Sequence, residues 1–197
     1  PSGRNQFVLE TFVHYGAPEE ITYENKPHIG TDVLSQVIGN MRKDLIAKGA
    51  EFHFESCVKD LVIENGRIAA VVTEEETYPA SAVILALGHS ARDTFEMLDA
   101  KKEIPMEVKN FAVGFRVEHP QTMIDTIMYG DYKGAKLPAS PYKVTSNFPN
   151  GRGVYSFCMC PGGYVVNASS EEGRSCVNGM SYSGRNGANA NSAIIVS

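Results

Sequence analysis

The sequence predicts a mixed α/β and α+β fold: an α/β layer carrying a β-meander, followed by an antiparallel sheet region. Three observations predict it. Ala82 to Leu87 is an unbroken apolar run, which reads as a strand buried on both faces, and it meets a turn at Gly88 and a helix start at Ser90 to Asp93. Asn65-Gly66 lies between two β-branched runs, the residue pair that a type I′ hairpin turn requires. Beyond Ile104-Pro105 the pattern changes to strict alternation in Phe111, Val113, Phe115 and Val117, the period of a strand with one face turned inward.

Taken in order, residues 1–30 hold a short apolar piece, Phe7 to Val13, and then polar loop with Pro18 and Pro27, so their secondary structure stays open. From Thr31, Val33, Leu34, Val37, Ile38, Met41, Leu45 and Ile46 recur at helical spacing. Thr31 or Asp32 is placed to cap that helix and Gly49 to stop it. Glu51 to Phe54 reads as a short strand. Val58 to Glu64 and Arg67 to Thr73 are the hairpin arms, and Thr77 to Pro79 adds a third piece before the run at Val83. The Ser90 hydroxyl is placed to cap the next helix, which continues to Leu98.

In the second half, His119-Pro120 ends the alternating strand. Met123, Ile124, Ile127 and Met128 then fit a short helix stopped by Gly130, and Asp131 to Pro141 is loop. Tyr142 to Asn147, Gly153 to Cys160 and Gly163 to Ala168 read as successive antiparallel strands. Ser181 to Asn191 reads as a long polar loop, and Ala193 to Val196 as a strand wanting a partner. The organisation is therefore an α/β segment, 31–103, and an antiparallel segment, 104–197, with 1–30 assignable to either.

The 197 residues are 43% hydrophobic and 21% charged, enough for one good core or two small ones. The net charge of −5 with scattered basic residues argues against a nucleic-acid partner. No apolar run reaches the about 18 residues that span a bilayer. Four cysteines are too few for a disulfide scaffold, so a reduced, cytoplasmic protein is expected. A start at Pro1 without methionine and a stop after an unpartnered strand suggest a fragment of a longer chain.

Candidate chemistry is sparse. Cys158 and Cys160 have CxC spacing, which a regular strand would put on one face, but only Cys176 and distant histidines could complete a metal site; reduced thiols are the expectation and no metal is assigned. No G-x-S-x-G elbow occurs, and with five histidines and four cysteines spacing alone does not decide a Cys-His pair, so no nucleophile is assigned. Neither a Walker A loop nor a G-x-G-x-x-G loop is present, so a complete dinucleotide site is absent from these residues. What remains is Gly88-His89-Ser90 at a helix start, glycine-rich loops around Arg152 and Arg185, and Lys26 with His28 just before a helix start, where an anionic ligand would be met by cations.

The order of features resembles the central part of two-dinucleotide-binding-domain flavoproteins: helix, Gly49 to Phe54, Val58, hairpin, then a strand ending Ala86-Leu87-Gly88, where that superfamily usually has Ala-Thr-Gly. Five blocks, Lys26 to Asp32 (KPHIGTD), Gly88 to Asp93 (GHSARD), Phe111 to Arg116 (FAVGFR), Cys160 to Gly163 (CPGG) and Asn178 to Ser192, are similar to a bacterial family of uncharacterised FAD-dependent dehydrogenases.

The resemblance implies an FAD-dependent oxidoreductase of unknown substrate and unknown redox donor. This chain would carry part of the FAD-binding α/β layer (31–103) and most of an antiparallel substrate domain (104–197). Val58, Ala86, Gly88 and His89 would border FAD. Lys26, His28, Cys160, Gly162, Gly163, Arg185, Asn189 and Asn191 would face the substrate or the flavin. The main pyrophosphate loop would lie before Pro1, so FAD is expected in the complete protein and not in this fragment, which would be inactive alone. The alternative is a non-catalytic flavoprotein-like module that binds a nucleotide or a partner.

Overall fold

The computed structural model describes residues 3–131 and 136–197, so residues 132–135 of the expected 131–141 loop lie outside the described residues. In chain order the elements are α1 (Gly3–His14), a short 3-10 helix (Glu19–Thr22), α2 (Thr31–Ala47), β1 (Val58–Glu64), β2 (Arg67–Thr73), β3 (Thr77–Pro79), α3 (Arg92–Asp99), β4 (Val113–Pro120), α4 (Gln121–Tyr129), β5 (Thr145–Asn147), β6 (Gly153–Cys160), β7 (Tyr164–Asn167), β8 (Val177–Met180) and β9 (Asn189–Val196). Mixed helices and antiparallel sheets make this an α+β chain. Residues up to Ala50 form one compact unit with Asn110–Ser197, and Glu51–Lys109 form another. The boundaries thus fall at 50 and 109, and α2 groups with the antiparallel region rather than with residues 51–103.

In the first unit, the segment left open by the sequence is helical because Leu9, Phe12 and Val13 pack on Ala17, Ile21 and Val37. Val37 is fully buried, and covering such a side chain stabilises by about 1.5–3 kcal/mol. The α2 stripe is real, but only Val33, Val37 and Met41 face this core, while Leu34, Ile38, Leu45 and Ile46 stay exposed. Gly49 has φ of 93°, the left-handed stop that its position suggested. Neither Thr31 nor Asp32 holds the cap position, which Gly30 takes.

The main sheet runs β4-β9-β6-β5, antiparallel throughout, so the strand that seemed to want a partner has two and lies inside the sheet. Two expectations fail here. The Val113 and Phe115 face of β4 is exposed, because no described element covers it. β7 pairs with β8 as a separate two-stranded ladder instead of following β6, and β8 was hidden in a polar run. α4 and its Gly130 stop are as predicted, with φ of 67° at the glycine.

The second unit holds the β1-β2-β3 meander, with α3 against β1 and Leu61, Ala70 and Leu98 buried. The Asn65-Gly66 turn has φ of 52° and 74°, as a type I′ turn requires. Lys101 ties the end of α3 to Asp60 of β1 at 2.7 Å. Three readings are corrected. Glu51 to Phe54 is not a strand but loop and turn. Val83 to Leu87 is extended yet unpaired among the described residues, and Ile84 is 93% exposed, because a doubly buried strand needs neighbours on both edges and none is present there. Ser90 does not cap α3: Ala91 holds that position, and the Ser90 hydroxyl lies 3.3 Å from His89 Nε2.

Candidate functional site

Three short segments of the first unit line an open cavity of about 510 Å³: residues 27–31 leading into α2, the end of β6 at Cys158–Pro161, and Gly179–Ser181 with Arg185. Phe12 and Leu34 supply its apolar wall. Sequence alone could not bring these segments together, since the first lies more than a hundred residues before the other two.

Hydrogen bonds clamp them. Thr31 N donates to the Ser181 carbonyl at 3.2 Å. The Asp32 carboxylate accepts from Ser183 N at 2.9 Å and from Ser183 Oγ at 2.6 Å. Those bonds, the hydroxyl first, hold the Asp32 carboxyl below the usual range. His28 Nε2 lies 3.1 Å from the Tyr182 carbonyl, which can only accept, so this nitrogen carries the proton.

Glycines make the close approach possible. Gly30, at φ of 89°, has no room for a Cβ against Ser183 N. Gly162, at φ of 53°, would drive a Cβ into the Arg185 carbonyl, and Gly163 would meet the Met180 carbonyl and the Cys160 side chain. Gly187 N donates to the Gly162 carbonyl at 2.9 Å.

A buried glutamine holds the Gly162 turn from behind. Gln121 Oε1 accepts from Gly162 N at 2.8 Å, and its Nε2 donates to the Ser140 carbonyl at 3.0 Å and to Asp125 at 2.8 Å. Arg116 is the other support. Its Nη1 donates to Asn191 Oδ1 at 2.6 Å and to the Cys158 carbonyl at 3.1 Å, and it lies where a side chain on Gly179 would stand.

The polar groups around this cavity are incompletely satisfied. Arg185 adopts φ of 46°, and its buried Nε has no hydrogen-bond partner among the described residues. The same holds for Arg116 Nε and for Nδ2 of Asn191, a residue that is 0% exposed. Unpaired buried donors and a left-handed non-glycine residue are costly features that concentrate where a ligand is held.

Of the residues singled out by sequence, His28, Cys160 and Arg185 line the cavity, Gly162 and Gly163 shape it, and Asn191 lies behind it through Arg116. Lys26 is exposed and outside the lining, and Asn189 is spent opposite Pro120 at the start of β9. Val58 opens β1, half-buried, while Ala86, Gly88 and His89 are exposed in the unpaired segment of the second unit. Gly88 does have φ of 70°, but nothing stands within 4 Å of where its Cβ would be.

Cys158 and Cys160 do not share a strand face. One extra residue enters β6 between the pairs Phe157–Ala193 and Cys160–Asn191, a bulge with Cys158 at φ of 50°. Sequence reasoning missed Gln121 and Arg116 as supports. Arg116 had left one signal, a cation set between the apolar Phe115 and Val117 of β4; Gln121 had left none. A second cavity, of about 370 Å³, is lined by His119, Ile124, Ile127, Met128, Tyr142, Lys143 and Val144, is apolar, and contains no residue that the sequence had assigned to a site.

The comparisons bear on this unit. Residues 110–197 match the family described as FAD-dependent protein, C-terminal domain-like. The chain is also 45% identical over 195 residues to an uncharacterized protein of Clostridium beijerinckii, covering 98% of this chain and 36% of that protein. It therefore spans little more than a third of the length of this relative. The match relates β4 to β9 to an FAD-dependent family. Among the described residues no helix is long and apolar enough to cross a membrane, and no group of three or more metal-ligating side chains gathers.

FAD itself can be tested against the residues present. A pyrophosphate needs a cradle of backbone amides at close approach. Gly88 offers open space instead of a cradle, and no G-x-G-x-x-G loop exists in the chain. The described residues do not fit a whole FAD, so no chemical step is derived through it.

Proposed function

We propose that this chain is part of an FAD-dependent oxidoreductase acting on a small polar or anionic substrate. Residues 51–109 would contribute to the FAD-binding region, with Val58, Ala86, Gly88 and His89 along its border, and residues 110–197 together with 1–50 would form the substrate unit. The cavity between His28, Cys160 and Arg185 takes the substrate: Arg185 and His28 bind and orient its polar end, and Phe12 and Leu34 exclude water from its apolar side. The observation that carries the reading is the buried Arg185 Nε, unpartnered among the described residues, in a cavity that the region matching an FAD-dependent family lines together with residues 12–34. The free cysteines among the described residues suit a reducing, cytoplasmic setting.

The test uses the complete protein. It should purify yellow and be reducible by a pyridine nucleotide or another donor. Arg185→Ala and His28→Ala should keep the flavin and alter the kinetics of its reduction or reoxidation. Unchanged kinetics in both variants would remove these residues from the site. A colourless complete protein would favour the non-catalytic nucleotide- or partner-binding module instead.

A further inference from the structure

The bulge in β6 places a cysteine where backbone geometry asks for glycine. A bulge whose first residue is left-handed normally carries glycine there, because a Cβ strains that conformation. Here the residue is Cys158, at φ of 50°. Its thiol is exposed and lines the 510 Å³ cavity. Cys160 lines the same cavity, is buried, and its Sγ sits 3.4 Å from the Cys158 carbonyl. Arg116 fixes that carbonyl from the other side at 3.1 Å. Burial raises the Cys160 thiol pKa, the neighbouring Cys158 adds to this, and the Arg116 guanidinium opposes it. No third metal-ligating side chain joins the pair among the described residues.

We propose that Cys158 and Cys160 form a reversible dithiol–disulfide couple in the cavity wall, oxidised by low-molecular-weight disulfides. The exposed Cys158 thiolate attacks one sulfur of the small disulfide; its S–S bond breaks and one thiolate leaves and takes up a proton. The Cys160 thiolate then attacks the Cys158 sulfur, closing the protein disulfide and releasing the second small thiol. Two protein thiols are oxidised and one small disulfide is reduced to two thiols. Although the bulge takes the two cysteines off a common strand face, both line the one cavity, and Cys160 Sγ lies 3.4 Å from the carbonyl of the residue whose thiol it would join. The proposal stands on the thiol geometry and does not rest on the flavin reading.

The test equilibrates the 197-residue chain with glutathione and glutathione disulfide at several ratios, then alkylates it and digests it with trypsin. Cleavage after Arg152 and Arg174 isolates a peptide holding Cys158 and Cys160 but neither Cys57 nor Cys176. As the disulfide fraction rises, that peptide should stop taking alkyl groups and become lighter by two hydrogen atoms. In Cys160→Ser, glutathione should instead accumulate on Cys158. Cys158→Gly should abolish the oxidation while raising the melting temperature by about 2–4 °C, because the left-handed strain is relieved. A peptide that takes two alkyl groups at every ratio overturns the proposal, as does a Cys160→Ser variant with no adduct. A Cys158→Gly variant that melts lower than the parent removes the strain argument on which the assignment of Cys158 rests.

Discussion

Gly162 and Gly88 share a left-handed backbone, at φ of 53° and 70°, yet stand in opposite surroundings. Around Gly162 the Arg185 carbonyl leaves no space for a methyl group, and Gln121 holds the turn by its amide. Around Gly88 there is nothing within 4 Å. One glycine is locked into a cavity that the described residues complete among themselves; the other is a bare turn on an unpaired segment. The same sequence signal, a glycine at a loop, carries a built site in the first case and only a backbone conformation in the second.

The sharpest way to break this contrast is to add a methyl group at each position. Gly162→Ala should cost about 2–5 kcal/mol, the sum of backbone strain and overpacking. Gly88→Ala should cost only about 1 kcal/mol, from backbone strain alone. Amide hydrogen exchange read separately in 110–197 and 51–109 measures both; equal losses would end the contrast.

Val37→Ala and Ile84→Ala come next. Val37 is 0% exposed and its truncation should cost about 2–3 kcal/mol. Ile84 is so exposed that truncation should stay within about 0.5 kcal/mol in this chain. A large loss at Ile84 would revive the buried-strand reading of 82–87.

Gln121→Leu should cost about 1–3 kcal/mol by stranding Gly162 N and the Ser140 carbonyl. It should also speed exchange at Gly162 more than at any amide of the β1–β3 meander.

The smallest effect is with pH. The folded Asp32 carboxyl is held below its ordinary value of 3.8 by Ser183, so the clamp adds stability above that value and loses it as pH falls through the lower folded value. Protection of the Ser183 amide, taken relative to its intrinsic exchange rate at each pH, should fall over that acid window and stay constant with pH in Asp32→Asn.

The legible parts of this chain were local. The Asn65-Gly66 hairpin, the α2 stripe with its Gly49 stop, and α4 ending at Gly130 follow from periodicity and turn chemistry acting over a few residues. The illegible parts depended on distant pairing. Nothing near Ala82 to Leu87 reveals whether a sheet surrounds it, and an apolar run alone implied that it would. β8 lay hidden in Val177-Asn178-Gly179-Met180 because its stabilisation comes from pairing with β7, not from its own residues. CxC suggested a shared face, and the bulge at Cys158 undid it. Within the site, His28, Cys160 and Arg185 were named through the family resemblance, while Gln121 and Arg116 became visible only through their partners.

The proposal that this chain supplies a substrate cavity but only part of a cofactor site is tested most directly by the amount of FAD retained after gel filtration, for the complete protein and for residues 1–197 alone. The complete protein should hold stoichiometric flavin and the 197-residue chain almost none. Stoichiometric flavin on the 197-residue chain, or none on the complete protein, would contradict it.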